Sequence, residues 1–130
     1  MPSAADTAIK GPFVIETVKG DIHDIGKNIV KLILENYGFK VIDLGRDVAP
    51  EAVLSAVIES KAPIVGLSAL MTTTLPAMEE TIKLLRKSGE NVKIIVGGAV
   101  LTREYAERIG ADKYAKDAME AVRYAEKILS

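Results

Sequence analysis

Five short apolar, largely β-branched runs alternate along this chain with five longer stretches of helical periodicity, and this alternation restricts the fold more than any other feature. The strand-like runs are Phe13-Val14-Ile15-Glu16-Thr17-Val18, Lys40 to Leu44, Ile64 to Ser68, Val92 to Val96 and Lys113 to Ala115. Between and after them come Gly26 to Tyr37, Pro50 to Ser60, Leu75 to Lys87, Thr102 to Ile109 and Ala118 to Leu129. Strands separated by helices of this length form βαβ units, and right-handed crossovers carry the helices to both faces of a parallel sheet. The expected fold is α/β: a flavodoxin-like, doubly wound sheet of five parallel strands in the order 2-1-3-4-5, with its switch point between the first and third strands. Ligands of such sheets bind outside the carboxyl ends of the strands.

The bulk properties narrow the ligand. At 130 residues and 48% apolar composition the chain makes one domain with a real core. Met1 to Pro12 mixes Pro, Ser, Ala and Gly without periodicity and reads as a linker or the cut end of something longer, leaving 13–130 as the domain. A formal net charge of −1 with dispersed signs gives no basic face for nucleic acid and no polybasic membrane patch. Zero cysteines exclude disulfides and thiolate metal sites, and with a single histidine any metal held by several side chains would need carboxylates. No apolar run approaches the roughly 20 residues of a membrane span, and Met1 to Gly11 shows no secretory pattern. The expectation is a cytoplasmic protein that binds a small molecule or another protein.

The loops at the strands' carboxyl ends hold the unusual chemistry. After the first strand comes Lys19-Gly20-Asp21-Ile22-His23-Asp24-Ile25-Gly26-Lys27-Asn28, which contains the only histidine. Two residues apart in a loop, Asp21 can accept a hydrogen bond from one ring nitrogen of His23, which frees the other as an acceptor or ligand. Gly26 lacks a Cβ where the helix starts, so a planar group could approach the backbone. The competing reading is a polar loop whose aspartate caps a helix. In that helix Ile25, Ile29, Leu32, Ile33 and Asn36 mark one face, and Gly38 stands where a left-handed cap belongs. After the third strand, Ser68 and Thr72-Thr73-Thr74 either serve the same edge or cap the following helix, with Pro76 placed for its first turn. Gly97-Gly98 follow the fourth strand and Tyr114 ends the fifth. Dinucleotide and P-loop sites lack their glycine patterns, and a receiver domain's phosphorylatable aspartate and its lysine are replaced by Ser68 and Ala115.

Taken in order, Asp21-x-His23-x-x-Gly26, then 41 residues, Ser68-x-Leu70, then 26 residues, Gly97-Gly98, the chain resembles the cobalamin-binding module of corrinoid-dependent methyltransferases and mutases. The resemblance covers about Phe13 to Leu129 and is strongest to the methyltransferase branch, which includes methionine synthase and small methyl-carrying corrinoid proteins. It implies a cobalamin or related corrinoid bound base-off, with His23 replacing the cofactor's own base as lower axial ligand of cobalt. It further implies that Asp21 holds the far nitrogen of His23 and that Thr74, six positions beyond Ser68, continues this relay. The displaced nucleotide tail would enter a slot where Ser68 touches its base, Leu70 lines the wall, and Gly97 and Gly98 leave room. Asp24, Ile25 and Gly26 complete the motif, and Tyr114 joins the candidate contacts.

The resemblance makes the chain a shuttle for methyl groups between donor-side and acceptor-side methyltransferase proteins. A helical cap usually precedes such a module, so a longer chain, another chain or a homo-oligomer would cover the cofactor's upper face. The small subunit of an adenosylcobalamin-dependent mutase and a cobalamin-sensing regulatory module are the other functions compatible with the motif.

Overall fold

Strand β1 (Lys10–Thr17) is an interior strand of the sheet, flanked on both sides by other strands, and its residues from Phe13 to Thr17 are buried. The computed structural model describes residues 10–129. The elements that follow are α1 (Ile25–Asn36), β2 (Phe39–Asp43), α2 (Pro50–Ser60), β3 (Ile64–Ser68), a 3-10 turn (Thr72–Thr74), α3 (Leu75–Lys87), β4 (Lys93–Gly97), α4 (Arg103–Arg108), β5 (Lys113–Tyr114) and α5 (Ala118–Leu129). All strand pairs are parallel and the order is β2-β1-β3-β4-β5, as expected from the sequence.

The alternation of side chains along β1 divides the core. Val14 and Val18 face α2, α3 and α4 with Val53, Val57, Met78, Ile82, Leu85 and Ala106, while Phe13 and Ile15 face α1 and α5 with Leu34, Ala121, Val122 and Ala125. Each fully buried aliphatic or aromatic side chain contributes on the order of 1.5–3 kcal/mol by leaving water, so this two-layered core is the main source of stability. Gly66 in β3 has to be glycine because a Cβ there would stand 2.9 Å from the Phe13 ring.

One expectation changes at this level, and the orientation of α1, left open by its periodicity, is settled. The first strand begins at Lys10, so residues 10–12 are strand residues, and Gly11-Pro12 mark a register shift against β2 where proline offers no N–H to the ladder. Residues 1–9 of the expected linker lie outside the described residues. In α1 the stripe Ile25, Ile29 and Leu32 turns outward, 75%, 50% and 60% exposed, while Leu34 on the opposite side is fully buried with Val30 and Ile33 partly so. Gly38 does end α1 with φ +91, and its N–H closes onto Glu35 O at 3.0 Å.

Candidate functional site

The buried carboxylate of Asp21 organises the carboxyl edge of the sheet. Its Oδ1 accepts from the backbone N–H of His23 at 3.0 Å and faces His23 Nδ1 at 2.8 Å. Its Oδ2 accepts from Leu70 N at 2.7 Å, Met71 N at 3.2 Å and Thr74 Oγ1 at 2.9 Å. Thr74 Oγ1 also lies 2.8 Å from Met71 O, so one hydroxyl proton serves two acceptors. Burial alone would raise the Asp21 pKa, but the hydrogen bonds from Leu70, His23 and Thr74 outweigh it and hold the carboxyl far below the usual carboxylate range. An ionised carboxylate only accepts, so Nδ1 of His23 carries a hydrogen, and the tautomer this selects has its lone pair at Nε2. The His23 side chain is 53% exposed, which makes that nitrogen reachable from outside.

The capping readings fail for two residues. Asp24 occupies the N-cap of α1 without a side-chain hydrogen bond, and Thr74 occupies the N-cap of α3 likewise, its hydroxyl being turned to Asp21 and Met71.

Beside this edge a slot of about 300 Å³ opens between α1, the sheet and α5. Phe13, Ile15, Gly66 and Ile95 form its floor, Gly26, Ile29 and Val30 one wall, and Ala115, Ala118 and Ala121 the other. Ser68, Leu70, Gly97 and Gly98 border it. A Cβ on Gly26 would meet nothing within 4 Å, so the approach to the backbone there is open. Gly98 has a different reason to be glycine. Its φ is +135, and a Cβ would stand 1.8 Å from Ala69 O, so the chain's own packing demands the glycine whatever occupies the slot.

Not every candidate joins the site. Tyr114 packs against the α2, α3 and α4 side of the sheet, because the alternation along β5 turns its neighbour Ala115 to the slot. Tyr114 is therefore not among the residues that line the slot. Asp24 and Ile25 stand at the start of α1 outside the slot's lining, Ile25 facing solvent.

Lys27 was missed. It is 3% exposed, lines the slot, and donates from Nζ to Asp43 Oδ1 at 2.6 Å, with Lys31 Nζ 3.6 Å from the other oxygen. Burial opposes ionisation of Asp43, but Lys27, Gly45 N–H and Lys31 prevail and lower its pKa. The only sequence signal was a lysine in the first turn of a helix, a place where cations are unfavourable unless paired.

Among the described residues, no three His, Cys, Asp or Glu side chains gather as a metal site would require. A metal at His23 must therefore arrive with its other ligands already in place. A macrocycle that supplies four equatorial nitrogens and trails a planar base fits this donor set and the apolar slot.

A doubly wound sheet with an acceptor nitrogen and an apolar slot on its carboxyl edge defines a ligand-binding module of the switch-point class. Residues 11–123 match the B12 binding domain family, and the chain belongs to it; its ligand is cobalamin or a related corrinoid. It is 47% identical over 132 residues to dimethylamine corrinoid protein 1 of Methanosarcina acetivorans, covering 100% of this chain and 62% of that protein. It superposes on a chain of the methanol:cobalamin methyltransferase complex MtaBC of Methanosarcina barkeri with a TM-score of 0.91 and 37% identity, covering 98% of this chain and 49% of that one. The monomethylamine corrinoid protein of the same organism gives a TM-score of 0.85 and 34% identity, covering 91% and 57%. This chain thus spans about three-fifths or less of the length of these proteins. No helix among the described residues is long and apolar enough to cross a membrane.

Proposed function

We propose that this domain is a methyl carrier that holds its corrinoid base-off, with His23 as the lower axial ligand, and presents it in turn to a donor-side and an acceptor-side methyltransferase. One observation carries the reading: the lone pair left at Nε2 of a half-exposed histidine lies on the same edge as an apolar slot of about 300 Å³. When bound, the corrinoid's cobalt supplies the methyl-accepting and methyl-donating chemistry.

The protein's residues have the other tasks. Asp21 fixes the tautomer and direction of His23, and Thr74 with the Leu70 and Met71 amides fixes Asp21. The slot takes the displaced base, with Phe13, Ile15, Ile95 and Val30 against its apolar surface and the Ser68 hydroxyl at the border. Gly26 leaves the way in open. Partner methyltransferases are supported by the structural likeness to a chain of the methanol:cobalamin methyltransferase complex, and a helical cap from a longer chain or another subunit belongs to the same reading. Ile22, Ile25 and Met71, 61%, 75% and 38% exposed around the histidine loop, are the apolar surface such a cover would meet.

A binding comparison tests the slot. A corrinoid lacking its nucleotide tail should bind more weakly than complete cobalamin by at least about tenfold, which a loss of about 1.4 kcal/mol of interaction already produces. Equal affinity would show that the tail does not use the slot.

A further inference from the structure

The loop that carries His23 is held before the histidine by the segment joining β2 to α2 and after it by the last residue of β2, and nothing in the family motif accounts for this. Beyond the ends of the strands this segment continues alongside β1: Thr17 N donates to Gly45 O at 2.9 Å, Val48 N donates to Thr17 O at 3.1 Å, and Val18 bridges Val48. From there Asp47 reaches over the turn before His23 and grips it twice. Its Oδ1 accepts from Gly20 N at 2.7 Å, and its own N–H donates to Asp21 O at 3.0 Å. To do so Asp47 adopts φ +56, a left-handed conformation that aspartate tolerates better than most residues. At the far end of the loop Lys27 holds Asp43, whose Oδ1 also accepts from Gly45 N at 2.8 Å and thereby shapes the turn that leads to Asp47.

We infer that Asp47 is a positioning residue for His23. It clamps the Gly20–Asp21 backbone from outside while Leu70, Met71 and Thr74 hold the Asp21 carboxylate from inside, so the imagined freedom of a loop is removed from the one residue that aims the imidazole. A misplacement of about 1 Å is enough to spoil such a geometry. The inference rests on the reading of His23 as axial ligand.

The test loads the full chain with cobalamin and measures, by visible absorption, the ratio of histidine-ligated to unligated cofactor in three variants. Asp47→Gly keeps the left-handed backbone but deletes the acceptor for Gly20 N; the ratio should fall by about tenfold, the low end for loss of a ligand's supporting partner. Asp47→Asn keeps an acceptor and tolerates the same φ; the ratio should stay within about twofold of the parent. Thermal melting of the cofactor-free protein accompanies each measurement. A parental ratio in Asp47→Gly would overturn the inference, as would an equal loss in Asp47→Gly and Asp47→Asn, or a drop in melting temperature without a change in ratio. His23→Ala separates the two claims: should it retain the ligated spectrum, the ligand assignment fails, whatever Asp47 does.

Discussion

Two buried carboxyl groups in this domain stand in opposite circumstances. Asp21 has donors for both oxygens and is held ionised; an asparagine there would place an NH2 group against donors on one side or the other, which is why the charge and the acceptor capacity go together. Glu16, fully buried in β1, has no hydrogen-bond partner for either oxygen among the described residues. Burial raises its pKa well above the usual carboxylate value, with the Lys27 charge opposing, so the folded state takes up a proton that the unfolded state releases. Stability is therefore fully retained below the ordinary glutamate pKa of about 4.3 and declines as the pH rises toward the folded-state value. Glu16→Met removes the ionisable group at similar volume. Melting of the cofactor-free protein at pH 5 and pH 8 should show a smaller decline across this range in the variant and a higher midpoint than the parent at pH 8. Parallel slopes would mean that Glu16 has a partner or access to water.

Among the elements, α1 was the least well read from sequence. Ile25, Ile29 and Leu32 do share one face, but periodicity gives a face without saying which side the core is on, and the core holds Leu34 on the opposite side. The outward stripe borders the slot at Ile29, so part of its apolar character lines the slot and does not serve the core. Leu34→Ala should cost about 2–5 kcal/mol in urea unfolding, whereas Leu32→Gln should change stability by no more than about 0.5 kcal/mol. Similar losses in both would put the stripe in the core. The parallel sheet was legible because strands buried on both faces read as continuous apolar runs between helices. The charged bracket of Lys27, Asp43 and Asp47 was not, since charges near helix ends and turns look solvated until the fold brings them together. Gly98 reads in the sequence only as a residue that leaves room for a ligand, because the approach of Ala69 is a tertiary fact.

At the scale of the whole molecule, the switch-point geometry joins residues far apart in sequence: Asp21 meets Leu70, Met71 and Thr74 across 49, 50 and 53 positions, with the slot beside them. The motif's spacings were legible as a set because each strand delivers its loop to the same edge. Their shared purpose, a histidine aimed by an aspartate at a metal that brings its own macrocycle, is the central claim. The most direct measurement is electron paramagnetic resonance of the domain loaded with cobalamin in the cobalt(II) state. A single axial nitrogen splits each cobalt line into three, and nitrogen-15 labelling of the histidine should convert these triplets to doublets, with the axial splitting from the protein lost in His23→Ala. Triplets that persist unchanged after labelling, or in His23→Ala, would place the axial nitrogen elsewhere and contradict the account.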